Sequence, residues 1–203
     1  MADSSLADFW DQRYLSGVTP WDAGRVPELL RRHTRDLPPG ARILVPGCGS
    51  AYELYYLLEN GFDALAIDFS APAVARAKSN LGCFADRVIE ADFFAFNRET
   101  PFDVMYERAF LCALPRKMWR NYATRSAELL VPGGIIAGFF FFDDNPKGPP
   151  FGTSREELDS LLGPLFERVQ DEAVSDSIPV FQDKERWQVW RRKPQGSASL
   201  GKR

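Results

Sequence analysis

The chain has 203 residues, of which 45% are hydrophobic and 26% charged, and its formal net charge is −3. This length allows one large α/β domain and is too short for two, and the composition excludes a largely disordered chain. The net negative charge gives no general attraction for nucleic acid or anionic membranes, which favours a small-molecule partner.

The cysteines and the apolar segments of the sequence are typical of a protein of the reducing cytoplasm. Cys48, Cys83 and Cys112 have no C-x-x-C spacing, which argues against a disulfide framework and indicates no metal site. The N-terminus has no basic segment followed by an apolar one, and Ile135–Phe142, the longest apolar run, is too short to span a bilayer. We expect a cytoplasmic monomer with no membrane partner.

Residues 1–40 precede the predicted sheet, and the first 27 of them are unusually aromatic for a leader segment. Their large rings are Phe9, Trp10, Tyr14 and Trp21. Helical spacing over Leu6–Leu15 puts the first three rings on one face, so this segment has an apolar surface that needs to be covered. We predict an arm that packs on the main domain as a lid, with a second short helix at Pro27–His33. His33 lies among arginines and is expected to be a solvated surface residue.

The stretch Ala41–Ser50 (ARILVPGCGS) predicts the first β-α unit of a nucleotide-binding sheet. A short apolar run that ends in glycines and then opens a helical pattern is typical of a buried parallel strand, a tight loop and a helix. Gly47 and Gly49 permit positive φ and close approach of a ligand to the backbone, and the helix N-terminus offers amide donors.

The spacing around this loop distinguishes between cofactors. A dinucleotide fingerprint, G-x-G-x-x-G, needs a third glycine where this chain has the bulky Tyr52, which argues against NAD or FAD. The next strand ends in Asp68, where a carboxylate can accept both ribose hydroxyls. This combination is typical of S-adenosylmethionine sites. The alternative is that the glycines only form a turn and that Asp68 only caps a helix.

The remaining elements alternate between strand and helix. After Asp68 we predict a helix capped by Ser70, strands at Val88–Ala91 and Phe102–Tyr106, a helix at Pro115–Leu130, a strand at Ile135–Phe142, a helix at Ser154–Leu162, and closing strands at Phe166–Asp171 and Glu185–Arg191. This alternation predicts a doubly wound, mostly parallel α/β sheet over residues 41–192. Asp143–Gly152 is a Pro/Gly loop expected to cover the site, and residues 193–203 form a basic tail expected to be disordered.

Aromatic and acidic residues supply the rest of a cofactor site. Trp10, Tyr14 and Trp21 are candidates to face the sulfonium, since aromatic faces stabilise cations by about 0.5–2 kcal/mol. Their alternative role is packing of the arm. Asp92 and Phe93 follow the third strand, where the adenine would lie, and their alternative role is a helix cap beside a core ring.

Several stretches together resemble the thiopurine S-methyltransferase family, including its plant thiol and halide methyltransferase branch. They are FWDQRYLSGVTPWDAG, LVPGCGS, GFDALAIDFS, ADFF, YERAFLCALP and GPPFG, in this order from about Phe9 to Trp190. The resemblance implies a seven-stranded Rossmann-like methyltransferase sheet and S-adenosylmethionine as cofactor. It also implies a small soft nucleophile as acceptor: a thiol, thiopurine, thiocyanate, halide, or selenium or tellurium species.

The resemblance also implies which residues of this chain form the site. By position Trp10, Trp21, Gly47, Asp68 and Asp92-Phe93 match cofactor positions of the family, and Tyr14 stands where the plant branch has another tryptophan. Arg108 matches the arginine of the thiopurine-type members, where the plant branch has tyrosine. It is the candidate catalytic residue, holding a thiol or anionic acceptor, and a cofactor contact is its alternative. A purely structural pairing of Arg108 with Glu107 or Asp143 is also open.

Two other functions stay open at this point. One is an NAD(P)-dependent oxidoreductase on the same type of sheet, which Tyr52 disfavours. The other is a protein that binds S-adenosylmethionine without catalysis. Methyl transfer to a thiolate is an in-line displacement that needs no metal, and a thiol with a pKa near 8.5 already supplies thiolate.

Overall fold

The structure, a computed structural model that describes residues 3–194, is built on one seven-stranded sheet. Its strands are β1 (Arg42–Pro46), β2 (Asp63–Asp68), β3 (Val88–Glu90), β4 (Phe102–Arg108), β5 (Leu130–Phe141), β6 (Phe166–Ala173) and β7 (Glu185–Arg192). They lie in the order β3-β2-β1-β4-β5-β7-β6. The first five pair in parallel, and β7 is antiparallel to both β5 and β6. The predicted doubly wound sheet with a closing hairpin is confirmed.

Helices cover the sheet and its carboxyl edge. They are α1 (Ala7–Leu15), α2 (Glu28–Thr34), α3 (Tyr52–Glu59), α4 (Ala71–Leu81), α5 (Trp119–Leu129) and α6 (Arg155–Leu162). The Ser70 hydroxyl caps α4, and Ser154 with Glu157 forms a capping box at α6. The local sequence therefore determines where these two helices begin.

Two hydrophobic cores lie on opposite faces of the sheet, because successive strand side chains point to opposite sides. In β1, Ile43 and Val45 join the core formed with α2, α3 and α4, whereas Leu44 joins the core formed with α5 and α6. The central strands β1, β2 and β4 are mostly buried because both faces of the sheet are covered there. The arrangement leaves the carboxyl ends of the parallel strands as the place for a site.

The boundaries around β5 differ from those predicted. The expected helix at Pro115–Leu130 begins as a 3₁₀ turn at Arg116–Met118, and α5 itself starts at Trp119. β5 begins at Leu130 rather than Ile135, because Phe102 pairs with Leu130 and a register shift then brings Val104 opposite Ile135. This irregularity absorbs residues 131–134, which the prediction left between the helix and the strand.

Two further expectations concern the C-terminal tail and membrane-spanning segments. The predicted basic tail lies outside the described residues from position 195 onward. Between residues 3 and 194, no helix is long and apolar enough to cross a bilayer.

The expectation that His33 is a solvated surface residue is wrong. Its ring lies 5.4 Å from that of Trp187, and its Nε2 is buried without a hydrogen-bond partner. Burial lowers the pKa of His33, with smaller and opposing effects from neighbouring charges. Of the arginines beside it in sequence, Arg31 lies over the ring of Tyr56 and Arg32 pairs with Glu172, whereas the His33 ring packs on Trp187 of β7.

This environment gives a pH-dependent stability. A histidine buried in its neutral form binds fewer protons folded than unfolded, so its contribution to the free energy of unfolding is present above a pH of about 6.5 and is lost below it. Because His33 is the sole histidine of the chain, we expect the wild-type protein to lose more stability than His33→Gln between pH 7 and 5. Urea unfolding of both proteins at several pH values measures this, and parallel stability curves would contradict it.

Candidate active site

A cavity of about 400 Å³ opens at the carboxyl edge of the parallel strands. Its size falls in the range of small-molecule sites. All eight residues singled out from the sequence border it: Trp10, Tyr14, Trp21, Gly47, Asp68, Asp92, Phe93 and Arg108. The topology thus brings together residues that the sequence spreads over about a hundred positions.

The glycine loop after β1 is tightly packed. Gly47 and Gly49 have φ of +59° and +52°. A Cβ at Gly47 would lie 2.5 Å from a ring carbon of Phe110, and one at Gly49 would lie 2.8 Å from Tyr14 Oη. Both the backbone conformation and the space therefore require glycine here.

The carboxylate of Asp68, at the end of β2, is buried against this loop. One oxygen accepts from the Gly49 amide at 3.1 Å and the other from the Ser70 amide at 3.0 Å. Burial raises the pKa of Asp68 to about 6, although these hydrogen bonds oppose the shift. Each carboxylate oxygen can accept more than one hydrogen bond, so capacity for a ligand hydroxyl remains.

The arm forms one wall of the cavity. The ring of Trp21 meets those of Trp10 and Tyr14 edge-on, with centroids 5.3 and 6.1 Å apart. Two acidic residues of the arm, Asp11 and Asp22, accept hydrogen bonds from the hydroxyls of Ser70 and Ser50. These contacts hold the arm against the loops that follow β1 and β2.

The adenine candidates, Asp92 and Phe93, also border the cavity. Asp92 is exposed, and its carboxylate accepts from the Phe94 amide at 2.9 Å in a turn rather than at a helix cap. Phe93 is buried and packs 5.1 Å from the ring of Phe110 while also bordering the cavity. Phe93 therefore packs in the core and at the same time forms part of the cavity wall.

Arg108, at the end of β4, pairs with neither Glu107 nor Asp143. Its Nη1 donates to Glu185 Oε2 on β7 at 3.2 Å, and its guanidinium lies 4.2 Å from the centre of the Phe139 ring. The structural pairing that the sequence left open is therefore present with a different acid, Glu185; Glu107 is not available because neighbouring side chains of a strand point to opposite faces. Asp143 pairs instead with Lys184.

Glu107 on the other face of β4 shapes the turn beside the site. Its carboxylate accepts from the amides of Phe110 and Leu111 at 2.8 and 3.0 Å and from Tyr122 Oη at 2.6 Å. Burial raises the pKa of Glu107. These bonds stabilise a left-handed Ala109, with φ of +55°, directly after Arg108.

Three further segments border the cavity. The Asp143–Gly152 loop contributes Pro149 and Pro150, as its position in the sequence predicted. Val180 and Phe181, from the segment between β6 and β7, and Phe110 were not predicted. The apolar run from Ile178 to Phe181 in an otherwise polar connection is the signal that would have identified the second segment.

Within the described chain, no group of three or more histidine, cysteine, aspartate or glutamate side chains is arranged to hold a metal ion.

The chain matches known proteins over nearly its whole length. The family model described as Thiopurine S-methyltransferase (TPMT) matches residues 5–193. A probable thiol methyltransferase 2 of Arabidopsis thaliana is 31% identical over 168 residues, which cover 79% of this chain and 74% of that protein. A thiopurine S-methyltransferase of Azotobacter vinelandii is 30% identical over 177 residues, 77% of this chain and 81% of that protein.

Solved structures agree on the fold. A Burkholderia thailandensis 1,6-didemethyltoxoflavin-N1-methyltransferase, crystallised with S-adenosylhomocysteine, superposes with a TM-score of 0.73 at 22% identity. The match covers 93% of this chain and 88% of that one. The family match leaves the oxidoreductase alternative without support. The chain belongs to the thiopurine S-methyltransferase family and is a methyltransferase that uses S-adenosylmethionine.

Proposed function

We propose that the enzyme transfers a methyl group to a small soft nucleophile, with a thiol or an anionic sulfur species as the preferred acceptor. The observation that carries this proposal is the position of Arg108, a nearly buried cation beside aromatic rings at the cavity that the candidate cofactor residues border. A thiopurine S-methyltransferase and a thiocyanate methyltransferase among the relatives support sulfur as the reacting atom.

The candidate cofactor residues fit S-adenosylmethionine. When bound, S-adenosylmethionine supplies an electrophilic methyl group on a sulfonium sulfur. Asp68 would accept the ribose hydroxyls, and Asp92 with Phe93 would contact the adenine. The rings of Trp10, Tyr14 and Trp21 would face the sulfonium and exclude water. The glycine loop has no room for side chains, which is consistent with close approach of a ligand to its backbone.

We place the acceptor beside Arg108, where part of the cavity wall is apolar. Cys112, Phe181 and Val180 pack together there with Trp21. A thiolate is large and weakly hydrated compared with a carboxylate, so an apolar wall with one guanidinium suits it. Arg108 would favour the thiolate over the thiol and orient it by directed hydrogen bonds.

Alignment is the main catalytic contribution that we assign to the chain. Holding an acceptor in line with a bound methyl donor can lower the barrier by about 7–11 kcal/mol. Arg108 is itself fixed by Glu185 and Phe139, so its position does not depend on the acceptor. No general base is needed for an acceptor that is already ionised.

We predict that Asp68→Asn weakens S-adenosylhomocysteine binding at least tenfold, because hydrogen bonds to a charged group contribute about 1.5–3 kcal/mol each. In the wild type the affinity should also fall as the pH drops below about 6, since the protonated acid must release its proton to accept both hydroxyls. Titration calorimetry at pH 7.5 and 5 measures both effects.

Asp103→Asn is the matched control, because that carboxylate pairs with Arg42 at the opposite end of β4. Its affinity should remain that of the wild type. An unchanged dissociation constant for Asp68→Asn would remove Asp68 from the ribose site.

We predict that the arm closes over the cofactor. Aromatic side chains that wall a cavity lose solvent-exposed area when a ligand fills it, and segments that cover such sites commonly gate access. Amide hydrogen exchange in Ala7–Leu15 should therefore slow when S-adenosylhomocysteine binds, whereas exchange in Arg155–Leu162, on the far face, should not change. Equal exchange in the arm with and without ligand would leave only the packing role.

We predict that Arg108→Ala lowers kcat/KM for a thiol acceptor at least tenfold with little change in cofactor affinity. Arg108→Lys should recover only part of the loss, because lysine lacks the planar fork. Steady-state kinetics with an aromatic thiol, together with the dissociation constant for S-adenosylhomocysteine, tests this.

Arg168→Ala is the matched control: it removes another arginine that pairs with an acid and lies over an aromatic ring, on β6 and away from the cavity. A loss of cofactor affinity in Arg108→Ala with an unchanged acceptor KM would assign Arg108 to the cofactor instead. Wild-type values for both constants would remove it from the site.

A further inference from the structure

Arg13, in α1, brings a second guanidinium to the cavity that Arg108 borders. Residues three and four apart share a face of a helix, so Arg13 lies on the same face as Trp10 and Tyr14. Its guanidinium lies 3.5 Å from the centre of the Phe9 ring, and its Nη1 donates to the Phe9 carbonyl at 3.0 Å. The side chain is therefore held in place by its own helix and not by an acidic residue.

The two guanidinium groups at the cavity differ in charge balance. Arg108 pairs with Glu185 at 3.2 Å. Within residues 3–194, no carboxylate forms an ion pair with Arg13, and its Nε and Nη2 make no hydrogen bond. An anion that enters the cavity would therefore meet one cation whose charge is already offset and one whose charge is not.

Ser4 adds an unpaired hydroxyl to the same cavity. Its carbonyl accepts from Trp10 Nε1 at 2.9 Å, which places Ser4 against the ring that lies about one helical turn before Arg13. The residue is 3% exposed and borders the cavity, and its Oγ has no hydrogen-bond partner in the described part of the chain. A buried hydroxyl without a partner costs free energy, which a ligand that accepts its proton would offset.

A purely structural account is that Arg13 only packs on Phe9 and that Ser4 only anchors the arm through its carbonyl. The ion pair between Asp3 and Lys117 also ties this end of the arm to the segment before α5. None of these contacts uses the Ser4 hydroxyl or the remaining donors of Arg13. Both side chains nevertheless border the cavity, which packing alone does not require.

The glycine loop is not the place that these two residues serve. Cys48, Gly49 and Ser50 of that loop border a separate, smaller cavity of about 60 Å³. Neither Arg13 nor Ser4 borders it. Their free donors are therefore available to a molecule in the larger cavity.

We propose that Arg13 and Ser4 form a subsite for a second, anionic group of the acceptor, which makes small thiols that carry a carboxylate the preferred substrates. A guanidinium offers a planar pair of donors that matches a carboxylate, and a serine hydroxyl can donate to the same group. Because Glu185 offsets the charge of Arg108, Arg13 is the cation that distinguishes an anionic acceptor from a neutral one of the same shape. This inference rests on the proposed methyl transfer to sulfur and assigns acceptor selectivity to the subsite.

The test compares acceptors of nearly equal size and different charge. Each positional isomer of mercaptobenzoate is measured against the corresponding mercaptobenzamide, at a pH at which all the thiols are ionised. For at least one isomer, we expect the wild type to have a kcat/KM at least about tenfold higher for the carboxylate than for the amide, the change expected for one hydrogen bond between charged groups. Arg13→Gln should lose this preference, mainly through a higher KM for the carboxylate, and should methylate the amide like the wild type. Arg13→Lys should keep part of the preference.

Arg31→Gln is the matched control. Arg31 also lies over an aromatic ring, that of Tyr56, and forms no ion pair in the described chain, but it is exposed on α2 and away from the cavity. This variant should keep the wild-type preference. Ser4→Ala should raise the KM for the preferred mercaptobenzoate at least about threefold and leave the KM for the amide unchanged, because only the carboxylate accepts from the hydroxyl. An unchanged KM for the carboxylate would overturn the assignment of Ser4.

Equal kcat/KM of the wild type for every mercaptobenzoate and its amide would overturn the proposal. That comparison needs no variant, so it also covers the case in which Arg13→Gln does not fold. Equal losses for both acceptors in Arg13→Gln, together with weaker S-adenosylhomocysteine binding, would place Arg13 at the cofactor and overturn the proposal as well. If the wild type methylates the sulfur of none of these thiols, the proposed function itself fails, so the two failures are distinguishable.

Discussion

The carboxylate of Asp68 joins three parts of the molecule that the chain otherwise leaves separate. Its oxygens accept from the amides of Gly49 and Ser70, so the end of β2 fixes both the glycine loop and the start of α4. The hydroxyl of Ser70 donates to Asp11 at 2.6 Å, which extends the same network to the arm. A buried carboxylate without a cation is costly, and the raised pKa of Asp68 reflects that cost. Bound ribose hydroxyls would donate further hydrogen bonds to this carboxylate and so offset part of its desolvation penalty. The same carboxylate therefore holds the glycine loop in place and would bind the cofactor.

Two neighbouring residues at the end of β4, Glu107 and Arg108, point to opposite faces of the sheet and have different roles in the site. Glu107 points toward α5 and holds the turn that carries Phe110, whereas Arg108 points toward Glu185 and Phe139. The turn is fixed on one side and the guanidinium on the other, so neither depends on a bound ligand for its position. Preorganisation of this kind is what an alignment mechanism requires.

Local patterns were enough to predict most of the fold and the composition of the site. The glycines, Asp68 and the capping serines follow from backbone conformation and hydrogen bonding within a few residues, and the structure brings every candidate site residue to one cavity. The sequence did not show long-range pairings. Arg108 and Glu185 are 77 positions apart, and no local pattern specifies that β7 lies between β5 and β6 in the sheet. The environment of His33 was missed for the same reason, since Trp187 packs on it from β7.

Identification of the product made by the wild-type enzyme tests the proposed chemistry most directly. Incubation with S-adenosylmethionine and a panel of small thiols, thiocyanate and halides, followed by mass spectrometry, measures which atom receives the methyl group. We predict an S-methyl product formed in equal amount with S-adenosylhomocysteine. Transfer to oxygen or nitrogen, or tight binding of S-adenosylhomocysteine with no methylated product from any of these acceptors, would contradict the proposal.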